Sequence, residues 1–384
     1  MAFTGRAIYD TGIFTGVAED VADIIGMISP YETPLLDVLG DSPYPARNVM
    51  HEWLEEQLQP NTIINSEATK VGTTETTTMQ IADTASNGVG AYLRVGGIYK
   101  VKISGEFIQL LSMVNNVGQW ARGVCGTSVA SIPANTEIFL VTEPSLEGAD
   151  VDAEHGRPRE RKENYCGIIK KDVIISGTTE AVTHLGNVGS EHDHQVEMRT
   201  REALRELEKA AINGKLTVTT SYLGTSLSSP HGGRTFKGMW DFITTNTNSW
   251  GTTTITGSLL NYVIQQAWDY GAQDLDLIVC DANFRRDIDA LNDSRVQVGN
   301  LESLYRDRVT YFEGSFGTQR VVTSRWMPAS SLMVLSTQRI KVLPLTGRSF
   351  HYEGVAKTGD ATKGMVIGEY TVEFKNENGM AKLG

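Results

Sequence analysis

"GSEHDHQVEMRTREALRELEKAAINGK", residues 189–215, decides how the rest of the chain is read. Val196, Thr200, Ala203, Leu204, Leu207 and Ala211 recur at three- and four-residue intervals, which predicts one apolar stripe on a long helix. Arg199, Glu202, Arg205, Glu206 and Lys209 are assigned to the other face, and Glu197 and Arg201 stand at i,i+4 in the favourable order. Ser190 and Asp193 resemble a capping box, and Asn213-Gly214 ends the segment. His192-Asp193-His194 has the residue types of a metal site. Positions i and i+2 diverge on a helix, however, and acidic side chains in a first turn complement the helix dipole. The cluster is expected to be a polar helix start.

Downstream, residues 236–350 alternate helix and strand. "SLLNYVIQQAWDYG" predicts a helix with Ser258 as cap, Leu260, Val263, Ile264, Ala267 and Trp268 buried, and Gly271 as terminator. "LDLIVC" reads as a buried strand, and Asp281 as cap of the helix "ANFRRDIDAL". Strands are expected in "QRVVTSRWM", "SLMVLS" and "RIKVLPL". In "GEYTVEFKNENG", Tyr370, Val372 and Phe374 alternate with Glu369, Thr371, Glu373 and Lys375, the pattern of a half-buried antiparallel strand.

Upstream, residues 1–47 read as an arm. "VAEDVADIIGMI" places Val17, Val21, Ile24 and Ile25 at helical spacing before Pro30, and "TPLLDVLG" offers Thr33 as cap, Pro34 at the first position and Gly40 as terminator. From residue 60 to 92 the chain is rich in Thr, Ser, Gly and Asn, a β-ribbon too poor in apolar area to stand alone. Residues 93–144 form a small β unit with strands in "LRVGGIYKV", "GEFIQLLSMV" and "TEIFLVT" and turns at Gly96-Gly97, Asn115-Asn116 and Ala134-Asn135. A polar linker containing "RPRERKE", residues 157–163, follows; its interleaved charges suit a salt-bridged contact or hinge better than a DNA patch.

Composition narrows the function. The 384 residues suffice for two or three domains, and a formal net charge of −12 disfavours non-specific duplex binding. Three cysteines, Cys125, Cys166 and Cys280, lie far apart, which suits a reducing compartment better than a disulfide framework. The first residues carry no secretory pattern, and no apolar run reaches the roughly 18 residues of a membrane span, so a soluble, intracellular chain is expected.

Chemical motifs are sparse. Lys357-Thr358-Gly359 matches one element of serine β-lactamases, but neither S-x-x-K nor S-D-N accompanies it. No phosphate loop, H-E-x-x-H, G-x-S-x-G or G-x-G-x-x-G occurs, and "GVG" at 88–90 leads into no helix. In "RGVCGT", residues 122–127, no His closely follows Cys125, which is expected to be a buried or idle thiol. No catalytic, cofactor-binding or metal-binding residues are assigned, and no cofactor.

The order of parts carries more information than any motif. "SPYETPLLDVLG", "HEWLEEQL", "NYCGIIKKDVIISGTTEAV", "RELEKAAINGK", "RTFKGMWDFI", "RWMP" and "AKTGD" occur in this order, and the last leads into "YTVEFKNENG". Together these words resemble one branch of the tailed-phage major capsid proteins of the Hong Kong 97-like fold, over about residues 29–60 and 157–380. The resemblance implies an α+β fold with an N-terminal arm (1–50), an extended β-loop (51–92 and 150–175) and a small inserted β domain (93–149). It further implies a peripheral domain with a long spine helix (176–235 and 350–384) and an axial domain (236–349).

The function implied is a major capsid protein of a tailed double-stranded DNA bacteriophage. Such chains assemble with themselves as pentamers and hexamers into an icosahedral shell, in the host cytoplasm, with portal, scaffold and decoration proteins as partners. They enclose the DNA without reading its sequence and involve no membrane. Some members crosslink Lys to Asn; Lys70, Lys100, Asn376 and Asn378 are of those types, although shell stability is expected to come from buried interface and decoration proteins. The alternatives are an encapsulin-like cellular shell and, in another class, an α/β enzyme using residues 255–345.

Overall fold

The computed structural model describes residues 31–40, 42–58, 62–67, 76–82, 93–114, 116–148, 150, 158–182, 190–217, 233–249, 254–291, 311–357 and 359–384. The helix expected over 17–28, Lys70, the "GVG" turn and much of the Thr-rich ribbon lie outside them. The chain divides into two compact units, Met1–Trp53 with Lys162–Gly384, and Leu54–Arg161. Strands Met50–Glu55 and Glu160–Tyr165, through which the chain leaves and returns, pair with each other. The basic segment expected in a linker is thus partly strand, and Arg159 pairs with Glu56 at 3.2 Å.

The unit Leu54–Arg161 is a six-stranded antiparallel sheet in the order Thr62–Ile64, Glu137–Thr142, Ile98–Val101, Phe107–Val114, Val117–Val124 and Thr76–Gln80. Its outer strands meet. Asn65 bridges Ile81, the Ser66 N–H donates to the Gln80 carbonyl at 2.9 Å, and the Ala82 N–H donates to Ile64 at 2.7 Å. The sheet therefore closes into a barrel, which removes its open edges. Two of its strands come from the polar stretch 60–92, and Val117–Val124 joins the three strands expected from the sequence.

Tyr99 and Trp120 meet edge-on in the barrel core, centroids 5.1 Å apart, among Ile63, Ile108, Leu110 and Ile138. A Cβ at Gly118 would lie 2.4 Å from Trp120 Nε1, so the indole occupies the space of the missing side chain. Asn116 (φ 63°) and Asn135 (φ 59°) take left-handed conformations in the turns where Asn was read as a turn residue.

In the larger unit the long helix spans Glu191–Asn213. Ser190 Oγ accepts from the Asp193 N–H at 3.3 Å, and Gly214 follows as C-cap. The helix packs on a four-stranded antiparallel sheet whose central strand, Ala361–Phe374, pairs with Gly167–Ser176, Ile340–Pro344 and His351–Val355. A second sheet has the order Thr247–Asn248, Ala381–Leu383, Leu332–Leu335, Leu277–Cys280, Gly317–Thr323 and Tyr311–Gly314. Helices Gly257–Asp269 and Ala282–Ala290 cover one face of it through Leu260, Val263, Ile264, Phe284 and Ile288. Its other face joins Ala203, Leu207 and Ala211 of the long helix in one continuous core.

Several local expectations are corrected. Thr33 stands at the start of helix Pro34–Leu39, but its hydroxyl makes no capping bond. Thr256, not Ser258, caps Gly257–Asp269 by accepting from the Leu259 N–H. Trp268 is 48% exposed and leans on Phe316, and Leu204 is 38% exposed. The strand read as half-buried is covered on both faces: Glu369, Thr371 and Glu373 are buried along with Val372 and Phe374. The Glu369 and Glu373 carboxylates are admitted because partners arrive from distant segments.

Candidate functional site

The acidic row on the central strand organises the larger unit. Glu369 lies between Arg234 (2.6 Å) and Arg348 (2.7 Å), and the Arg234 Nε–H also donates to the Cys166 carbonyl at 2.8 Å. Glu373 is bonded to His51 Nε2 at 2.7 Å, accepts from Tyr44 Oη at 3.0 Å and pairs with Lys375 at 2.8 Å. Burial works to raise the Glu373 pKa, but the hydrogen bonds from His51, Lys375 and Tyr44 and the Lys375 charge outweigh it and hold the carboxyl down at about 2. The Tyr44 and His51 contacts, with the parallel bridge Ala46–Leu345, fix strand Met50–Glu55 and the segment before it to the sheet.

The same sheet leaves apolar groups in solvent. Strand Gly167–Ser176 turns Ile169, Val173 and Ile175 inward and exposes Ile168 (46%) and Ile174 (67%). Ile174 stands opposite Lys363, which stands opposite Val355 on the third strand. Opposite residues of an antiparallel pair share a face, so these form one mixed surface of apolar and charged groups. A surface of this kind is suited to contact with protein. Among the described residues, one groove of 340 Å³ lies along Tyr31, Arg199, Arg201 and Arg205, and one of 470 Å³ along Tyr44, Arg47 and His51. Arg199 and Arg201 pair with Glu202 and Glu197 on their own helix.

The motif residues disperse. His192 Nε2 bonds Tyr352 Oη at 2.8 Å and its Nδ1 contacts Asp193 at 3.2 Å, so it links the helix start to the sheet. Among the described residues no group of three or more His, Cys, Asp and Glu side chains is placed to hold a metal ion. Cys125 is exposed, not buried, in a turn with φ 55°. Burial raises the Cys166 thiol to about 11 and Cys280 to about 12, which keeps both protonated and unreactive. Lys357 and Gly359 follow strand His351–Val355, and Thr358 lies outside the described residues. Lys100 lies over the Phe107 ring in the barrel, while Asn376 and Asn378 belong to the other unit. No described helix is long and apolar enough to cross a membrane.

Glu208 escaped the sequence reading. It is fully buried on the long helix, where its Oε1 accepts from Ser324 Oγ at 3.0 Å. The signal was available, since position 208 lies four residues after Leu204 and three before Ala211, inside the apolar stripe.

A short helix, paired strands leading to a separate barrel, a long helix on a sheet and a second α/β layer make up the described residues. Residues 6–384 match the family model described as SU10 major capsid protein, and the chain belongs to that family. The capsid protein of a native GTA particle is similar in fold, with a TM-score of 0.50 and 8% identity over 99% of each chain. The capsid protein of the Myoviridae phage XM1 gives 0.47 and 11%, covering 95% of this chain and 96% of that one. An encapsulin, SrpI of Synechococcus elongatus PCC 7942, gives 0.41 and 9%, covering 58% of this chain and 75% of that one. No curated protein matches the chain.

Proposed function

We propose that this major capsid protein assembles as pentamers and hexamers into an icosahedral shell that encloses the double-stranded DNA of a tailed phage, and that its role is structural and not enzymatic. The family match over residues 6–384 carries the reading. In it, residues 1–50 are the arm, 51–92 and 150–175 the extended loop, 93–149 an inserted β domain, 176–235 with 350–384 the peripheral domain, and 236–349 the axial domain.

Assembly takes place in the host cytoplasm, with portal, scaffold and decoration proteins as partners. The net charge of −12 supports a wall that does not grip the genome as it enters, because like charges repel at long range. Nuclease treatment of particles purified from infected cells tests this reading. Protected duplex DNA of uniform, genome-scale length inside a shell of this chain is the expected result; particles holding folded enzyme and no DNA would overturn it.

A further inference from the structure

The apolar stripe of the long helix carries a carboxyl group under the arm. Glu208 is fully buried beside helix Pro34–Leu39 and the turn that follows strand Gly317–Thr323. Its Oε1 accepts from Ser324 Oγ at 3.0 Å, and its Oε2 lies 3.5 Å from the Leu36 amide nitrogen, at the end of the short helix that the Thr33 hydroxyl leaves uncapped. Leu35, next to that contact, is fully buried in the shared core. Lifting the short helix would therefore bring water to Glu208.

No cationic side chain pairs with this carboxyl among the described residues. The charged group acting on it from the arm is Asp37, and its negative charge opposes ionisation. On the turn, Arg325 pairs with Glu32 at 3.4 Å, and Lys209, next along the long helix, lies over the Trp326 ring at 4.1 Å. Glu208 thus has hydrogen-bond donors but no countercharge.

We infer that docking of helix Pro34–Leu39 onto the long helix is coupled to uptake of one proton by Glu208, so that acid seats the arm and alkali loosens it. When the helix is docked, a neutral carboxyl is favoured because a buried anion without a countercharge is costly. When it lifts, water solvates the carboxylate and that cost disappears. Burial is the largest influence on the group; the bonds from Ser324, Leu35 and Leu36 offset part of it, Asp37 adds to it, and the docked pKa is raised to about 7. With the docked pKa above the ordinary glutamate value, the docking advantage is complete below that value and is lost as pH rises through 7. Linkage gives a decrease of about tenfold in the docking constant between pH 6 and pH 8. The inference rests on contacts within one chain and does not depend on the shell reading.

Amide hydrogen exchange on the full-length chain tests it, read at Leu35–Val38 and corrected for the intrinsic effect of pH. Wild-type protection is expected to drop about tenfold between pH 6 and pH 8, while Glu208→Gln, which mimics the protonated group, stays within about twofold. Infrared spectroscopy of the wild type supplies a readout that needs no variant: a buried carboxylic acid band should vanish as pH rises through about 7. Flat wild-type protection, the same decline in E208Q, or no carboxylic acid band surviving above the ordinary carboxylate range would overturn the inference.

Discussion

Arg122 and Glu106 are joined inside the barrel by two parallel hydrogen bonds, 2.8 Å from Nε to Oε1 and 2.7 Å from Nη2 to Oε2, with side chains 1% and 0% exposed. The same carboxylate accepts from the Gly123 N–H at 3.0 Å and the Ala130 N–H at 3.1 Å, and Arg122 donates to the Ala130 carbonyl. The pair thereby fixes both ends of the turn that holds Cys125. Burial favours the neutral acid, but the bonds from Arg122, Ala130 and Gly123 and the Arg122 charge prevail and place the Glu106 pKa below the usual value. Arg122→Met, which strands a buried carboxylate, is expected to cost about 3–5 kcal/mol. The double variant R122M/E106L should recover much of that loss. Chemical denaturation of the two variants alongside the wild type measures both effects, and equal losses in the single and double variants would count against the ion pair.

Glu373 provides an acid-sensitive anchor. Its folded pKa of about 2 lies below the ordinary 4.5, so its contribution is complete above pH 4.5 and is lost as pH falls toward 2. The full contribution is about 2–3 kcal/mol. Glu373→Gln should therefore unfold at lower temperature than the wild type at pH 7, and the gap should narrow at pH 3. A gap independent of pH would show that the side chain acts by packing alone.

Gly364 leaves room for Tyr352. A Cβ there would lie 2.1 Å from Tyr352 Oη, the atom that bonds His192, whereas a Cβ at the paired Gly354 meets nothing nearer than 3.9 Å. Gly364→Ala is expected to destabilise by about 1–3 kcal/mol through displacement of the ring. Tyr352→Phe should cost about 1 kcal/mol for the lost bond. Gly354→Ala serves as the control and should fall well below G364A in thermal unfolding.

The cap of helix Gly257–Asp269 separates two neighbouring hydroxyls. Thr256→Ala should cost about 1 kcal/mol because it removes the acceptor of the Leu259 N–H. Ser258 is exposed inside the first turn, and Ser258→Ala should be neutral or slightly stabilising. The reverse order in a denaturation experiment would restore the cap that the sequence suggested.

These cases show what the sequence encodes and what it conceals. The long helix was legible because a stripe of apolar residues, a Ser cap and a Gly terminator are local signals, and all act within a few turns. The central strand was half legible. Alternation revealed which side chains share a face, but burial of Glu369 and Glu373 depends on Arg234, Arg348, Tyr44 and His51, which are remote in sequence. Barrel closure was hidden for the same reason, since Asn65 meets Ile81 across a stretch that reads only as polar ribbon. Glu208 left a trace as a carboxylate in an apolar stripe, yet the arm that covers it comes from more than 170 residues away, with |i−j| of 172.

The central claim is that this chain builds a shell from copies of itself, and particle size tests it most directly. Light scattering on the purified full-length chain, followed by negative-stain imaging of the same fractions, should find rings, sheets or closed particles of many subunits. A monomer or small dimer that never assembles, even when concentrated and supplied with its scaffold protein, would contradict the account.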